Sequence, residues 1–211
     1  MVSSREERSQ LTDVTLERVH ELIMVCPKCA LSKSRTRAVP GEGAEDANVM
    51  FVGEGPGWYE DQQGRPFVVP AGQLLDQLLK TVKLPRPQVF ITNIVKCRPP
   101  SNRDPRPEEI EACAPYLDKQ IELIAPRVIV TLGRHSMARF FPGKTISQVH
   151  GATRRGNGVL CFALYHPAAA LRQARLRQVL EEDFLKLPAV MAEAEKLPRG
   201  KAGGGGEEGQ Q

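Results

Sequence analysis

Residues 48–57 read NVMFVGEGPG: four apolar side chains in succession, Val49 to Val52, halted by a glycine-rich loop. A strand with one wet face alternates apolar and polar residues. A strand covered on both faces is apolar throughout, so Asn48–Val52 predicts a buried strand. The same pattern returns in Val89–Thr92 (VFIT), Val128–Leu132 (VIVTL) and Val159–Leu164. Between these runs the apolar residues change to helical spacing. Leu74, Leu75, Leu78, Leu79 and Val82 form one stripe. Ile110, Cys113, Leu117, Ile121 and Ile124 form another, entered through Pro107 and two acidic residues that suit a helix N-terminus. Gly133–Phe141 predicts a short helix and Pro167–Leu185 a last one. Leu16, Val19, Leu22 and Ile23 predict a first, capped by Thr12 or Asp13. One helix followed by four strand–helix units predicts an α/β fold, a parallel sheet with helices on both faces.

Such sheets bind ligands at the carboxyl ends of their strands. Polar signatures stand at those ends: Gly53–Gly57 after the first strand, Asn93 after the second, His166-Pro167 after the fourth. Gly133-Arg134-His135 after the third is the weaker one. His20, His135 and His150 are read as structural.

The whole chain has 211 residues, 41% of them hydrophobic and 26% charged, which is the composition of one globular domain. No apolar run is long enough to span a membrane, and MVSSREERSQ has no apolar stretch behind it, so a cytoplasmic protein is expected. Residues 1–10 read as a flexible start, 11–196 as a single domain, and the glycine-rich 197–211 as a disordered tail. A formal charge of +4 permits nucleic-acid binding without demanding it. Lys96, Arg98, Arg103 and Arg106 gather after the second strand, and Arg172, Arg175 and Arg177 follow His166. Either set is a DNA contact or a solvated face.

Five cysteines in a cytosolic chain do not suggest disulfides. Cys26 and Cys29 form a CxxC, Cys97 follows the second strand, and Cys113 lies on the next helix. Four thiolates suit zinc or an iron–sulfur cluster. The wide spacing of the second pair favours the bulkier cluster, although Cys113 also falls on the apolar stripe of its helix. Cys161 reads as core.

Taken in order, CPKC (26–29), FVGEGPG (51–57), EDQQGRPFV (60–68), AGQLLD (71–76), ITNIVKCRPP (91–100) and HPAAAL (166–171) resemble the family 4 uracil-DNA glycosylases, the iron–sulfur branch of that superfamily. The likeness runs from about Cys26 to about Arg172. It implies a three-layer α/β/α fold around a four-stranded parallel sheet. It implies a 4Fe–4S cluster on Cys26, Cys29, Cys97 and Cys113. It also implies a hydrolase that excises flipped-out uracil from DNA, single- or double-stranded, during base excision repair; a monomer is the default expectation. Glu54 and Gly55 would line the uracil pocket with Glu60 just beyond; Phe67 would stack on the base, Asn93 would read it, and His166 would belong to the second motif. The pattern departs at Val69, where the family carries glycine. A glycine needed there for positive φ or close approach to DNA would make Val69 a disturbance.

The chemistry suits these residue types. A base in a duplex must be flipped out before it can be cut away. Uracil then offers an N3–H donor beside a carbonyl acceptor, which one asparagine amide matches. Bond breaking leaves negative charge on uracil, so donors at its O2, His166 among them, lower the barrier. A carboxylate, Glu60 or Asp61, would steady the sugar cation and orient water, with Glu54 holding the loop. Arg98 and Arg172 are expected on phosphates, and Leu171 as a wedge in the gap left by the base. The alternatives are excision of hypoxanthine or xanthine, a crosslinking DNA binder, and a non-catalytic nucleic-acid module. The crosslinking relatives carry an insertion between the second motif and the third cysteine, for which the four positions from Asn93 to Cys97 leave no room.

Overall fold

The computed structural model describes residues 14–156 and 158–198. The flexible start, the caps Thr12 and Asp13, and the tail from residue 199 lie outside the described residues. In chain order the helices are α1 (Leu16–Met24), α2 (Trp58–Gln63), α3 (Ala71–Thr81), α4 (Pro107–Ile124), α5 (Arg134–Phe140), α6 (Ile146–Val149), α7 (Pro167–Ala170), α8 (Ala174–Phe184) and α9 (Leu187–Glu195). The strands are β1 (Glu42–Gly43), β2 (Val49–Gly53), β3 (Phe90–Asn93), β4 (Val128–Leu132), β5 (Thr153–Gly156) and β6 (Val159–Leu164).

They form one six-stranded sheet in the order β1-β3-β2-β4-β6-β5. Its four inner strands are parallel, as the apolar runs predict, and β1 and β5 add antiparallel edges. The four-stranded expectation is therefore short by two edge strands. Glu42–Gly43 is two residues long and Thr153–Gly156 reads TRRG, so neither has an apolar pattern to reveal it. Short, charged edges of this kind resist pairing with other chains.

Alternate strand residues face two separate cores. Met50, Val52 and Ile129 meet α1 and α4 through Val19, Ile23 and Leu117. Val49, Phe51 and Val130 meet α3, α8 and α9 through Leu75, Phe184 and Leu187. Full burial of such a side chain contributes about 1.5–3 kcal/mol, and the Phe51 and Phe184 rings stack 6.0 Å apart. The result is the expected α/β/α sandwich. No helix among the described residues is long and apolar enough to cross a membrane.

Two helix boundaries differ from expectation. The hydroxyl of Thr15 caps α1, accepting from the Arg18 N–H at 3.2 Å. The single last helix is broken into α7, α8 and α9. Gln173 is extended (φ −139°), and Pro188, lacking an N–H, stands in the first turn of α9 rather than prolonging α8.

Asp183 fastens α8 to the loop before β5. It is 3% exposed and sits 2.7 Å from both His150 Nδ1 and Lys186 Nζ. Gly151 leaves room for it, since a Cβ there would lie 2.2 Å from Asp183 Oδ1. Both partners are partly exposed and can rehydrate, so Asp183→Ala should cost about 2–3 kcal/mol, below the upper end for a broken buried pair. Urea unfolding would read this as a lower midpoint at constant slope; a cost within about 0.5 kcal/mol, typical of a surface change, would contradict it.

Candidate active site

Gly53 and Asn93 end the paired strands β2 and β3 side by side. A Cβ on Gly53 would lie 2.3 Å from Asn93 Oδ1 and 2.7 Å from the Phe67 ring. The bare glycine thus lets the Asn93 amide and the Phe67 ring close over one spot. Asn93 is 2% exposed, and its Oδ1 is buried with no hydrogen-bond partner. An unsatisfied buried acceptor costs about 1–3 kcal/mol, which a ligand donor would recover.

Phe67 has φ 49°, a left-handed backbone that costs a non-glycine residue about 1–3 kcal/mol. Its surroundings impose it. The carbonyl of Phe67 lies where a Cβ on Gly72 would be, 1.9 Å away. Arg86 donates to the Pro66 carbonyl at 2.7 Å while pairing with Glu42 and Asp76, each at 2.9 Å. Glu60 accepts from the Gly57 N–H at 2.6 Å and also takes the Val68 N–H, clasping the Gly53–Gly57 loop to the Phe67 loop. Burial raises the Glu60 carboxyl above its ordinary range, and those N–H groups pull it partly back. Val69 has no positive φ and is 38% exposed, so its backbone does not call for the glycine.

His166 caps α7: its Nδ1 accepts from the Ala168 N–H at 3.1 Å, which leaves Nε2 to carry the proton. Its ring lies 5.4 Å from that of Phe67. Gly133 (φ +91°) makes room for it, since a Cβ there would lie 3.0 Å from His166 Cβ. The residue keeps a solvent-open edge, yet the surrounding protein pushes its pKa down to about 4. The ring is therefore neutral at neutral pH. Asn93 and His166 thus stand at the ends of β3 and β6, and the Phe67 ring lies beside both.

Glu54 hands its carbonyl to the Val95 N–H at 3.1 Å. Its carboxylate lies 3.8 Å from His135 Nε2, which stands 3.3 Å from Asp104, itself paired with Arg134. Burial raises the Glu54 carboxyl; His135 lowers it and Asp104 raises it. Sequence reasoning left His135 as structural and passed over Asp104. The position of His135 just after β4 was the signal for it. Gly55 presses on the next loop, where an added Cβ would lie 2.7 Å from the Val95 side chain and 3.7 Å from Pro99.

Other expected residues are placed differently. Asp61 is 1% exposed and accepts from the N–H groups of Thr36 (2.9 Å) and Arg37 (3.4 Å), so it staples a loop instead of facing the pocket. Lys96 points inward at 1% exposure and donates to Thr92 Oγ1 (2.5 Å), the Asn93 carbonyl (2.8 Å) and Gln120 Oε1 (2.6 Å). It is an anchor for Asn93, not a phosphate contact, and burial pushes its pKa down to about 7. Arg103 is drawn to Glu109 at 2.6 Å. Arg98 is half-buried and donates to Asn102 at 2.7 Å. Leu171, 42% exposed, and the exposed Arg172 stand just past α7 on the His166 side.

Cys26, Cys29, Cys97 and Cys113 line one hollow of about 280 Å³, its open mouth included. Three of the sulfurs accept N–H groups: Cys97 from Arg35 (3.1 Å), Cys113 from Lys96 N (3.3 Å) and Cys26 from Lys28 N (3.5 Å). Sulfurs that ligate iron are held in this way. Burial pushes the Cys113 thiol up to about 11 and raises Cys97, so the thiolates want a cation. No three of the four sulfurs lie within 4.8 Å of one another. Around a single zinc they would be about 3.8 Å apart, so the spacing suits a larger group. Cys161 is buried in β6, its thiol pushed up to about 12.

The uracil DNA glycosylase superfamily matches residues 40–187. The chain is 51% identical to the type-4 uracil-DNA glycosylase of Sulfurisphaera tokodaii over 82% of this chain and 83% of that protein. It is 47% identical to that of Archaeoglobus fulgidus, covering 82% and 92%, and 43% identical to that of Thermotoga maritima, covering 85% and 94%.

Proposed function

The chain belongs to the uracil DNA glycosylase superfamily, in its type-4 branch, and from that premise we propose that it hydrolyses the N-glycosidic bond of flipped-out deoxyuridine in DNA, releasing uracil and leaving an abasic site for base excision repair. The observation that carries this reading is the buried, partnerless Oδ1 of Asn93 beside the Phe67 ring. Uracil N3–H satisfies that oxygen, and the amide NH₂ donates to uracil O4. Lys96, bonded to the Asn93 carbonyl, fixes the backbone that aims the amide. Phe67 stacks on the base.

His166 donates from Nε2 to uracil O2, where negative charge grows as the bond breaks. Glu60 serves as a positioning residue, because its carboxylate is committed to the two pocket loops. Glu54 is the carboxylate left to steady the sugar cation and orient water. Leu171 wedges into the gap left by the base, and Arg98 and Arg172 meet phosphates. The enzyme acts as a monomer on single- or double-stranded DNA in the cytoplasm.

The four cysteines fit a 4Fe–4S cluster by donor type, spacing and N–H···S bonds. Bound there, the cluster supplies a cross-link between the end of α1, the loop after β3, and α4.

The histidine gives a pH test. Protonation would turn Nδ1 into a donor against the Ala168 N–H. With a pKa of about 4, against an ordinary 6.5, this begins only in acid. The His166 contribution to kcat/KM is thus expected to stay level from roughly pH 8 to pH 5 and to fall as pH drops through about 4. The unfolded chain binds this proton more readily, so the same histidine also lowers stability as pH falls from 6.5 towards 4. An acid limb near pH 6.5 that vanishes in His166→Gln would contradict the assignment.

The function itself is tested by mass-spectrometric identification of the base released from DNA carrying uracil, hypoxanthine or xanthine. Free uracil is expected; release of the purines without uracil would refute the reading.

A further inference from the structure

Trp58 and Tyr59 open α2 directly after the Gly53–Gly57 loop, and they are 50% and 48% exposed. Exposing two large aromatic rings side by side is costly in water and uncommon without a partner. Their rings meet edge to face at 4.9 Å and 87°, so each braces the other while a face stays open. They are the only aromatic residues among the exposed large hydrophobic ones in the described structure.

The helix that carries them is docked on a basic segment. Asp61 takes the N–H groups of Thr36 and Arg37, Gln62 donates to the Thr36 hydroxyl at 2.9 Å, and Gly64 packs by Arg37. Residues 27–41 contain Lys28, Lys33, Arg35 and Arg37 and no acidic residue. Arg35 is turned inward to the Met24 and Cys26 carbonyls and Cys97. Lys33 and Arg37 are exposed and have no ion-pair partner among the described residues. Aromatic faces for bases beside cations for phosphates are what proteins use to hold a single strand.

We propose that Trp58 and Tyr59, with Lys33 and Arg37, form a stacking platform for unpaired DNA running on from the flipped nucleotide. This rests on the glycosylase reading for its ligand, and it adds a preference for single-stranded or locally opened substrate. In a duplex the base faces are already stacked on one another, so the platform has nothing to take hold of. The two cations alone would bind both forms.

Trp58 is the only tryptophan of the chain and therefore its own reporter. The intact protein would be titrated with a uracil-free oligothymidylate and with a uracil-free duplex of equal length, following tryptophan emission and, in parallel, the anisotropy of end-labelled DNA. Because this DNA lacks the excised base, the result is separable from success or failure of uracil release.

The single strand is expected to quench the emission saturably, at the concentrations where anisotropy rises, and to bind roughly tenfold more tightly than the duplex. Tyr59→Ala and Trp58→Ala should each lose roughly tenfold in single-strand affinity at an unchanged melting temperature. Lys33→Gln with Arg37→Gln should make the salt dependence of single-strand binding shallower by about 1.4. Binding without quenching, equal affinity for duplex and single strand, or unchanged affinity in both aromatic variants would each overturn the proposal. In the last case the rings would be left to a protein partner.

Discussion

Asn93→Ala is expected to lower kcat/KM on uracil-containing DNA by roughly 10²–10³-fold while leaving the protein at least as stable as the parent. A polar group aimed at a ligand contributes most where water is excluded, and its removal leaves uracil N3–H and O4 unmatched in a dry pocket. The second half of the expectation is the more telling. Asn93 Oδ1 is buried without a partner in the protein alone. Deleting it removes a desolvation cost instead of a bond, so the urea midpoint should hold or rise. The Lys96 bond to the Asn93 carbonyl survives the change, since it involves only backbone on that side. Parallel loss of activity and stability would mean that Asn93 is a structural residue and that the pocket has been misassigned.

The second large effect concerns the sulfur site. If the proposed 4Fe–4S cluster is bound, Cys113→Ser is expected to abolish its visible absorbance, to take bound iron from about four atoms per chain towards none, and to lower stability by about 3 kcal/mol or more. For a chain of this size that is a fall of roughly 10 °C in melting temperature. Cys161→Ser is the control, because that thiol is also buried but lies in β6 away from the hollow. It should keep the iron. One zinc per chain and no iron in the parent protein would refute the cluster assignment, and the sulfur spacing would then have to contract on binding.

Much of the fold was legible because burial on both faces leaves a plain mark. Val159–Leu164 is apolar from end to end, Val128–Leu132 is broken only by Thr131, and the strands have those limits. The mark fails where burial is one-sided or brief. Thr153–Gly156 pairs through its backbone while its side chains stay largely exposed, so pairing leaves no pattern in the sequence. The helix Trp58–Gln63 buries only Asp61, so it has no apolar stripe to betray it.

The candidate site divides along similar lines. Gly53, Asn93 and His166 announce themselves by following strands, a consequence of topology. Directions of side chains do not follow from position. Lys96 and Asp61 look like surface charges in the sequence, yet both point inward to satisfy buried backbone groups. Gly133-Arg134-His135 is a thin motif, and only the packing of α5 against the strand ends brings His135 to Glu54.

The most direct test uses an end-labelled oligonucleotide with a single uracil, incubated with the purified protein, treated with alkali and resolved on a denaturing gel. The account predicts a strand cut at the uracil position only after alkali, absent when thymine or cytosine stands there, and weakened at least a hundredfold by Asn93→Ala. An uncut strand with the iron-loaded parent protein, or a slow-migrating covalent adduct before alkali in place of turnover, would contradict it.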